Sequence, residues 1–202
     1  MKFIFLDRDG VINKDPGGWT EHDYVTRAGD FHFLPGALEA LRLLNENGMQ
    51  VLVVSNQAGV GRGLFSRKDL DSVNSHMLSE AVKNGGKIEA VYYCIHTKED
   101  NCGCRKPRTG LFERAMKRFV ISARDTYFVG DSRTDIAAGR AAGLKTILVL
   151  CGKTPVEEAK RLKERPEYVF PDLLGAVKWL IEKERRRSFR AISRKKEKRR
   201  DG

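Results

Sequence analysis

No apolar stretch in the sequence approaches the roughly 20 residues that a helix needs to cross a bilayer. The first apolar run is interrupted by an acid at position 7, too early for a signal peptide. Internal repeats are absent, and low complexity is confined to the C-terminal end. Hydrophobic residues make up 41% and charged residues 32% of the 202 positions. We therefore expect a cytoplasmic protein with one domain at residues 1–181.

The sequence also lacks strong basicity over most of its length, although its net charge is +11. Residues 182–202 contain eleven Lys or Arg and four acids, so this segment alone carries +7. We interpret it as a basic tail that extends the last helix or is disordered. Contact of the tail with nucleic acid or an anionic surface is a less favoured alternative.

Short apolar runs rich in β-branched residues alternate with segments of helical periodicity. The predicted strands are 3–6, 51–54, 90–94, 127–129, 146–150 and 168–170. The predicted helices are 37–47, 68–83, 111–119, 134–142, 156–163 and 173 to about 187. This alternation predicts an α/β fold, a Rossmann-like parallel sheet with helices on both faces.

Polar side chains cluster directly after the predicted strands, where ligands bind in such sheets. The first four strands are followed by acids, a hydroxyl, amides and cations at Asp7, Asp9, Ser55, Asn56, Gln57, Arg105, Lys106 and Asp131. Three carboxylates held together repel one another unless a cation joins them, and few oxygen ligands with room for water suit Mg²⁺. A metal, the Ser55 hydroxyl and the Lys106 ammonium together favour phosphoryl transfer.

Two carboxylates in such a site need two different tasks. One can attack phosphorus to form an aspartyl-phosphate, which divides a slow hydrolysis into two easier steps. The other can protonate the leaving oxygen and later activate water, if crowding of the acids raises its pKa.

Cysteine and histidine are scarce, with four of each, yet three of the cysteines and one histidine share the segment CIHTKEDNCGC. Cys94, His96, Cys102 and Cys104 can enclose one Zn²⁺ tetrahedrally, and four protein ligands leave no open position for chemistry. We expect a structural zinc that holds the following Arg105 and Lys106 at the site. A disulfide or buried free thiols are the alternatives. Cys151 is expected to be a packed thiol.

With these motifs the sequence resembles the haloacid dehalogenase-like (HAD-like) phosphatases. Asp7-Arg8-Asp9-Gly10 matches their D-x-D-G motif, and Ser55, Lys106 and Gly130-Asp131 match the three later motifs in order. The resemblance implies that Asp7 is the nucleophile and Asp9 the acid/base. It also implies that Mg²⁺ is bound by the Asp7 carboxylate, the Asp9 backbone carbonyl and Asp131.

The zinc loop and the DRDG, SNQ and CRKP segments are similar to one branch of this superfamily. That branch holds the heptose 1,7-bisphosphate phosphatases and the histidinol-phosphate phosphatases, and the resemblance covers roughly residues 2–155. Arg62 and Arg105 favour a sugar bisphosphate, whereas the short gap between His96 and Cys102 looks more like the histidinol enzymes. We expect substrate contacts from Asp15, Asn56, Gln57, Arg62, Arg105 and Lys106.

No segment between the motifs is long enough for a separate cap domain, so short loops must screen the site. The segment 14–30 is expected to form the wall that touches the leaving group, and His22, His32 and His76 are expected to have surface or packing positions. An open site favours a small phosphorylated sugar as substrate and a monomer as the assembly. Two other classes are less favoured, a polynucleotide-end phosphatase that uses the tail and a non-catalytic zinc-stabilised binding module.

Overall fold

A computed structural model describes residues 2–159 and 161–197, with the side chains of 156 and 190–197 left out of the description. Its six strands are β1 Lys2–Leu6, β2 Met49–Asn56, β3 Ile88–Cys94, β4 Tyr127–Gly130, β5 Lys145–Val149 and β6 Tyr168–Phe170. All neighbouring strands pair in parallel, in the order β3-β2-β1-β4-β5-β6. The predicted parallel sheet is confirmed.

The order of the strands places β1 at the centre of the sheet, between β2 and β4. Ile4 is level with Val51 on one side and with Tyr127 on the other. The connections run outward in opposite directions from this centre, which opens a crevice at the carboxyl ends of the central strands. The first and fourth motifs therefore start side by side.

Helices cover both faces of the sheet, as predicted. The helices are α1 Ala37–Glu46, α2 Ala58–Gly61, α3 Arg67–Lys83, α4 Gly110–Phe119, α5 Arg133–Ala141, α6 Val156–Ala159 and α7 Leu173–Glu197. One buried cluster joins a sheet face to α1, α3 and α7 through Leu41, Val73 and Val177. The other joins the opposite face to α4 and α5 through Phe112 and Ala138.

Two helices differ from the sequence prediction. α6 ends at Ala159 instead of reaching residue 163, while Leu162 is buried against Ile136 and Leu148 on the flank of the sheet. Burial of that leucine turns the chain out of the helix before Pro166. The four-residue α2 was not predicted, because its sequence AGVG carries no helical periodicity.

The last helix, α7, packs its first turns on the sheet and continues through most of the basic tail. Lys183 Nζ lies 4.4 Å from the centre of the Tyr168 ring and 4.5 Å from that of Trp179. Glu184 accepts from Lys2 Nζ at 2.6 Å, at the amino end of β1. The tail therefore leaves the body at the edge of the sheet opposite the carboxyl ends of the strands.

Among the described helices, none is both long enough and apolar enough to cross a membrane. The domain limit at residue 181 stays a prediction, and residues 198–202 lie outside the described part of the chain.

The contacts of Lys183 and Glu184 lead us to expect that the folded domain extends past residue 181, and truncation tests this. Deleting 189–202 should leave the Tm within about 1 °C, whereas deleting 182–202 should lower it by several degrees, because each kcal/mol is worth roughly 2–4 °C at this chain length. The shorter chain loses the cation–π contacts of Lys183, worth about 0.5–2 kcal/mol. Thermal unfolding of both truncations beside Lys183→Gln measures this, and equal Tm values for the two truncations would support the limit at 181.

Candidate active site

A cavity of about 670 Å³ opens at the carboxyl edge of the sheet, above β1, β2 and β4. Most of the predicted site residues line it, namely Asp7, Asp9, Ser55, Asn56, Arg62, Arg105, Lys106 and Asp131. Asp15 and Gln57 are not among the lining residues. Ser132, Thr134, Asp135 and Lys153 join the lining from the β4 and β5 side.

On the floor of the cavity, two carboxylates pair with one ammonium and a third carboxylate lies near them. Lys106 Nζ donates to Asp7 Oδ1 at 2.9 Å and to Asp135 Oδ1 at 2.6 Å. Asp7, Asp131 and Asp135 each offer an oxygen, and these oxygens all lie within 4.8 Å of one another. If all are ionised, the group keeps an excess of negative charge even with Lys106 present, so this oxygen set fits a divalent cation.

The buried acids respond differently to this crowding. Burial raises the pKa of Asp7 to about 7, against the opposing effect of Lys106. Burial, together with the charges of Asp135 and Asp7, raises the pKa of Asp131 well above its usual range. Burial also acts on Asp135, but the ion pair with Lys106 and hydrogen bonds from Ser132 hold its pKa below the usual value. Asp7 and Asp131 therefore need a further cation to be ionised together.

Glycine is required where the chain passes close to Asp131. Gly10 has φ of +82°, and a Cβ there would overlap Asp131 Oδ2. A Cβ at Gly152 would overlap the same oxygen. The backbone N–H of Lys153 donates to Asp131 Oδ2 at 2.7 Å. These contacts hold the carboxylate beside the turn that follows β1.

The Asp9 carboxylate turns away from the other acids into a cradle of donors. Arg8 Nη2 donates to its two oxygens at 3.1 and 3.0 Å, while Asn13 Nδ2 and Gln57 Nε2 donate at 2.9 and 2.7 Å. Although burial opposes it, the Arg8 charge and these donors lower the pKa of Asp9. The expectation that crowding raises this pKa is wrong, because Arg8 is fully buried and pairs with Asp9 alone among the acids.

The three residues of the SNQ segment, Ser55, Asn56 and Gln57, lie at the end of β2 and make different contacts. The buried Ser55 hydroxyl faces the cavity and accepts from Gln57 Nε2 at 2.8 Å. Gln57 lies below the cavity with no exposed surface, so its side chain holds Asp9 and Ser55 instead of reaching the substrate space. Asn56 lines the cavity, but its side-chain amide forms hydrogen bonds with the backbone N–H and carbonyl of Lys106.

The rim on the zinc-loop side is cationic. Arg62, Lys98, Arg105 and Arg108 line it. Arg108 donates to the carbonyl of Cys102 at 2.7 Å, and Arg105 donates to that of His96 at 3.3 Å. Among the described residues, the side chains of Arg62 and Lys98 have no hydrogen-bond partner, so their donors are available to an anion.

The opposite wall comes from the segment 14–30, but through different residues from those expected. His22, Asp23 and Tyr24 line the cavity. His22 has the surface position expected for it and also faces the cavity. Asp15 pairs instead with Lys153 at 3.2 Å. No sequence signal marks residues 22–24, whereas Lys153 follows β5 and the strand-end rule could have found it.

The second cluster is the loop between β3 and α4. The Sγ atoms of Cys94, Cys102 and Cys104 lie 3.2 to 3.6 Å apart. His96 Nδ1 lies 3.5 Å from Cys94 Sγ and 3.2 Å from Cys104 Sγ. Sulfur ligands about 2.3 Å from a tetrahedral zinc ion would be separated by ~3.7 Å, close to these spacings. The four cysteines of the chain are free, so the disulfide alternative is wrong, and Cys151 packs beside the core as predicted.

The thiols of this loop differ in how readily they ionise, and Cys94 needs a cation to do so. Burial raises the pKa of Cys94 to about 12. Although burial opposes it, backbone N–H groups of Arg105 and Cys104 lower the pKa of Cys102 to about 6. A soft dication held by the four ligands would keep all three sulfurs as thiolates.

Comparison with known proteins agrees with this geometry. A HAD-hydrolase-like family profile matches residues 103–176. The D-glycero-beta-D-manno-heptose-1,7-bisphosphate 7-phosphatase of Neisseria meningitidis is 37% identical over 184 residues, 90% of this chain and 96% of that protein. That of Helicobacter pylori is 34% identical, over 83% of this chain and 97% of its own length. The chain belongs to the heptose-1,7-bisphosphate 7-phosphatase family of HAD-like hydrolases.

Solved structures of this family share the fold. The D,D-heptose 1,7-bisphosphate phosphatase of B. bronchiseptica, complexed with magnesium and phosphate, has a TM-score of 0.82 at 31% identity. The similarity covers 91% of this chain and 99% of that one. The enzyme of Burkholderia thailandensis has a TM-score of 0.67 at 34% identity, over 90% and 99% of the two chains.

For this member of the heptose bisphosphate phosphatase family, we expect the purified protein to contain one zinc ion per chain, matching the single thiol-containing cluster of the described residues. Cys102→Ser should reduce the zinc content well below that and lower the Tm by about 5 °C or more, because the loop loses its cross-link. Elemental analysis and thermal unfolding measure both. Cys151→Ser is the control and should keep its zinc. Full zinc content in Cys102→Ser would contradict the site.

Proposed function

We propose that this protein hydrolyses the 7-phosphate of D-glycero-D-manno-heptose 1,7-bisphosphate, through an aspartyl-phosphate on Asp7 and with Mg²⁺ as cofactor. The observation that supports this most directly is the convergence of Asp7, Ser55, Lys106 and Asp131 on one cavity with a cationic rim. The names of its relatives in the family agree with the same reaction.

Asp7 and Asp131 would hold the magnesium, with the Asp9 carbonyl as the third protein ligand expected from the resemblance. The ion, when bound, would supply charge neutralisation at the transferring phosphate and permit both carboxylates to ionise. Asp135 remains paired with Lys106, which keeps the ammonium beside the nucleophile. The Ser55 hydroxyl and the Lys106 ammonium can then donate to phosphoryl oxygens.

In the first half-reaction, a carboxylate oxygen of Asp7 attacks phosphorus and the sugar oxygen leaves with a proton from Asp9. In the second, Asp9 takes a proton from water, and the resulting hydroxide attacks the aspartyl-phosphate to release inorganic phosphate and restore Asp7. The lowered pKa of Asp9 keeps its carboxyl ionised, which is the form that accepts a proton in the second half-reaction. The acid function requires its carboxyl to leave the Arg8 pair and take up a proton.

The bisphosphate is favoured over histidinol phosphate by the charges at the rim. Arg62, Lys98, Arg105 and Arg108 lie on the zinc-loop side, where the phosphate that is not cleaved could bind. A cationic amine such as that of histidinol would meet repulsion there. The only acid on the opposite wall formed by residues 22–24 is Asp23, and its Oδ1 already accepts from the Gly18 N–H at 2.8 Å.

A polynucleotide-end phosphatase would need the basic tail near the cavity. Glu184 instead contacts Lys2 at the amino end of β1, and Arg187 contacts Asp125 just before β4. A strand of five residues separates this edge from the site by about 13 Å or more. We therefore do not favour this alternative.

We also propose a monomer in the cytoplasm. The four free thiols suit a reducing compartment. Within the described residues, the large exposed apolar side chains are few and lie in separate segments of the chain, which supports a monomer. They are Leu64, Val82, Val120, Val169 and Phe189. Light scattering of the purified protein would test the assembly.

The function is tested with a panel containing both anomers of the heptose bisphosphate, histidinol phosphate and a phosphorylated oligonucleotide. With Mg²⁺, phosphate release should be fastest on a heptose bisphosphate. Asp7→Asn should reduce kcat by more than about 10⁴-fold, because the covalent route that supplies most of the rate enhancement is lost.

The control is Asp125→Asn, which removes a carboxylate of the same size at the opposite edge of the sheet and should keep full activity. Retained turnover in Asp7→Asn would refute the nucleophile. Equal, slow release from every compound would argue against a dedicated sugar substrate.

The cationic rim gives a separate test of the second phosphate. Arg62→Ala should lower kcat/KM for the bisphosphate by about 10- to 100-fold, as expected for loss of a hydrogen bond between charged groups worth roughly 1.5–3 kcal/mol. Turnover of p-nitrophenyl phosphate, which has no second phosphate, should change less than about twofold. Arg42→Ala, on the outer surface of α1, is the matched control. Equal losses on both substrates would place Arg62 at the cleaved phosphate instead.

A further inference from the structure

Lys106 is attached to the end of β2 along both its backbone and its side chain. The side-chain carbonyl of Asn56 accepts from the Lys106 N–H at 3.0 Å, and its amide donates to the Lys106 carbonyl at 3.1 Å. The Lys106 ammonium donates to the carbonyl of Val54 at 3.0 Å. Asn56 and Lys106 are 50 positions apart, so these contacts join two separate parts of the chain.

Hydrogen bonds and ion pairs fix the position of the Lys106 ammonium. Its three donors meet three acceptors, the Asp7 and Asp135 carboxylates and the Val54 carbonyl. A lysine has a long flexible stem, and ordering it in one rotamer costs up to about 2 kcal/mol of entropy. Because the Lys106 backbone is fixed at both of its peptide groups, the aliphatic part of the side chain starts from a position that lets the ammonium contact these three acceptors.

The backbone of Lys106 is held from the other direction by the zinc loop. Cys104, the last of the four clustered ligands, lies two positions before it. Without the Asn56 contacts, only the backbone of Arg105 would connect Lys106 to the zinc loop and restrict its position. With them, the loop and β2 fix the same peptide groups from two sides.

We propose that Asn56 is a positioning residue, whose side-chain amide clamps the two peptide groups of Lys106 to the end of β2 and so couples the zinc loop to the phosphate-binding lysine. The inference rests on the proposed function in one respect, since it takes Lys106 to contact the transferring phosphate. It replaces the expectation that Asn56 binds substrate, because the amide oxygen and one amide proton are used inside the protein.

A clamp and a substrate contact differ in their kinetic effects. Loss of the clamp displaces the lysine from the transition state, so Asn56→Ala should lower kcat by about 10- to 100-fold with KM within about twofold. Asn56→Asp keeps an acceptor for the Lys106 N–H but turns a carboxylate oxygen toward the Lys106 carbonyl, which repels it, so this variant should also have a lowered kcat. Asn84→Ala, at the exposed end of α3, is the matched truncation and should behave as the unmodified protein.

A second readout does not depend on turnover. In acetic anhydride labelling followed by mass spectrometry, Lys106 should be protected from acetylation in the unmodified protein. In Asn56→Ala it should be acetylated at least about fivefold faster, because the rate of acetylation is set by how often the buried amine is released. Lys98, exposed in the same loop, is the internal standard. Zinc content should stay at the level of the unmodified protein in both variants.

The outcomes separate the proposals. A raised KM with unchanged kcat would make Asn56 a substrate contact and overturn the clamp, as would unchanged labelling of Lys106. If Asn56→Ala loses zinc or fails to fold, the labelling and kcat of Asn56→Asp decide in its place. If heptose bisphosphate is not hydrolysed, the function proposed above fails, while labelling of Lys106 and kcat on p-nitrophenyl phosphate still test the clamp.

Discussion

The structure depends on the balance of charge around Lys106. Three buried carboxylates lie within 4.8 Å of one another, and the one ammonium, which pairs with Asp7 and Asp135, cannot neutralise all three. Burial in a low-dielectric site makes each unpaired charge costly, so the acids either take up protons or require a metal. The pKa values of Asp7 and Asp131 are raised because these buried acids have too little positive charge near them. A dianionic phosphate could enter such a site only together with a divalent cation.

The order of the strands explains why these groups meet. β1 lies between β2 and β4, so the residues that follow these three strands share one edge. Asp7 and Asp131 directly follow a strand, and Ser55 is the penultimate residue of β2. Glycines at 10 and 152 let the chain pass against Asp131. Lys106 alone comes from a long loop. Its approach to the site therefore needs separate supports, which the clustered thiols and Asn56 can supply.

The sequence predicts the sheet, most element limits and the central site residues, since strand periodicity and strand-end position are local properties. It also predicts the thiol cluster, because the spacing of four ligands is local as well. The sequence does not predict contacts that depend on the path of a loop. His22 and Lys153 reach the cavity from segments without a motif. The pKa of Asp9 was predicted in the wrong direction because burial of Arg8 beside it cannot be inferred from counting acids.

Positive charge is divided between two edges of the molecule, and the division has a physical reason. At the carboxyl edge, Lys106 is matched by acids, and the rim cations face a cavity that an anion can enter. At the amino edge, α7 carries Arg185 and Arg187, which contact Asn47 and Asp125 on the body. Cations crowded beside the metal ligands would compete with the divalent ion for the carboxylates. Keeping the described cations of α7 at the opposite edge leaves the affinity for metal and phosphate to the few cations around the cavity.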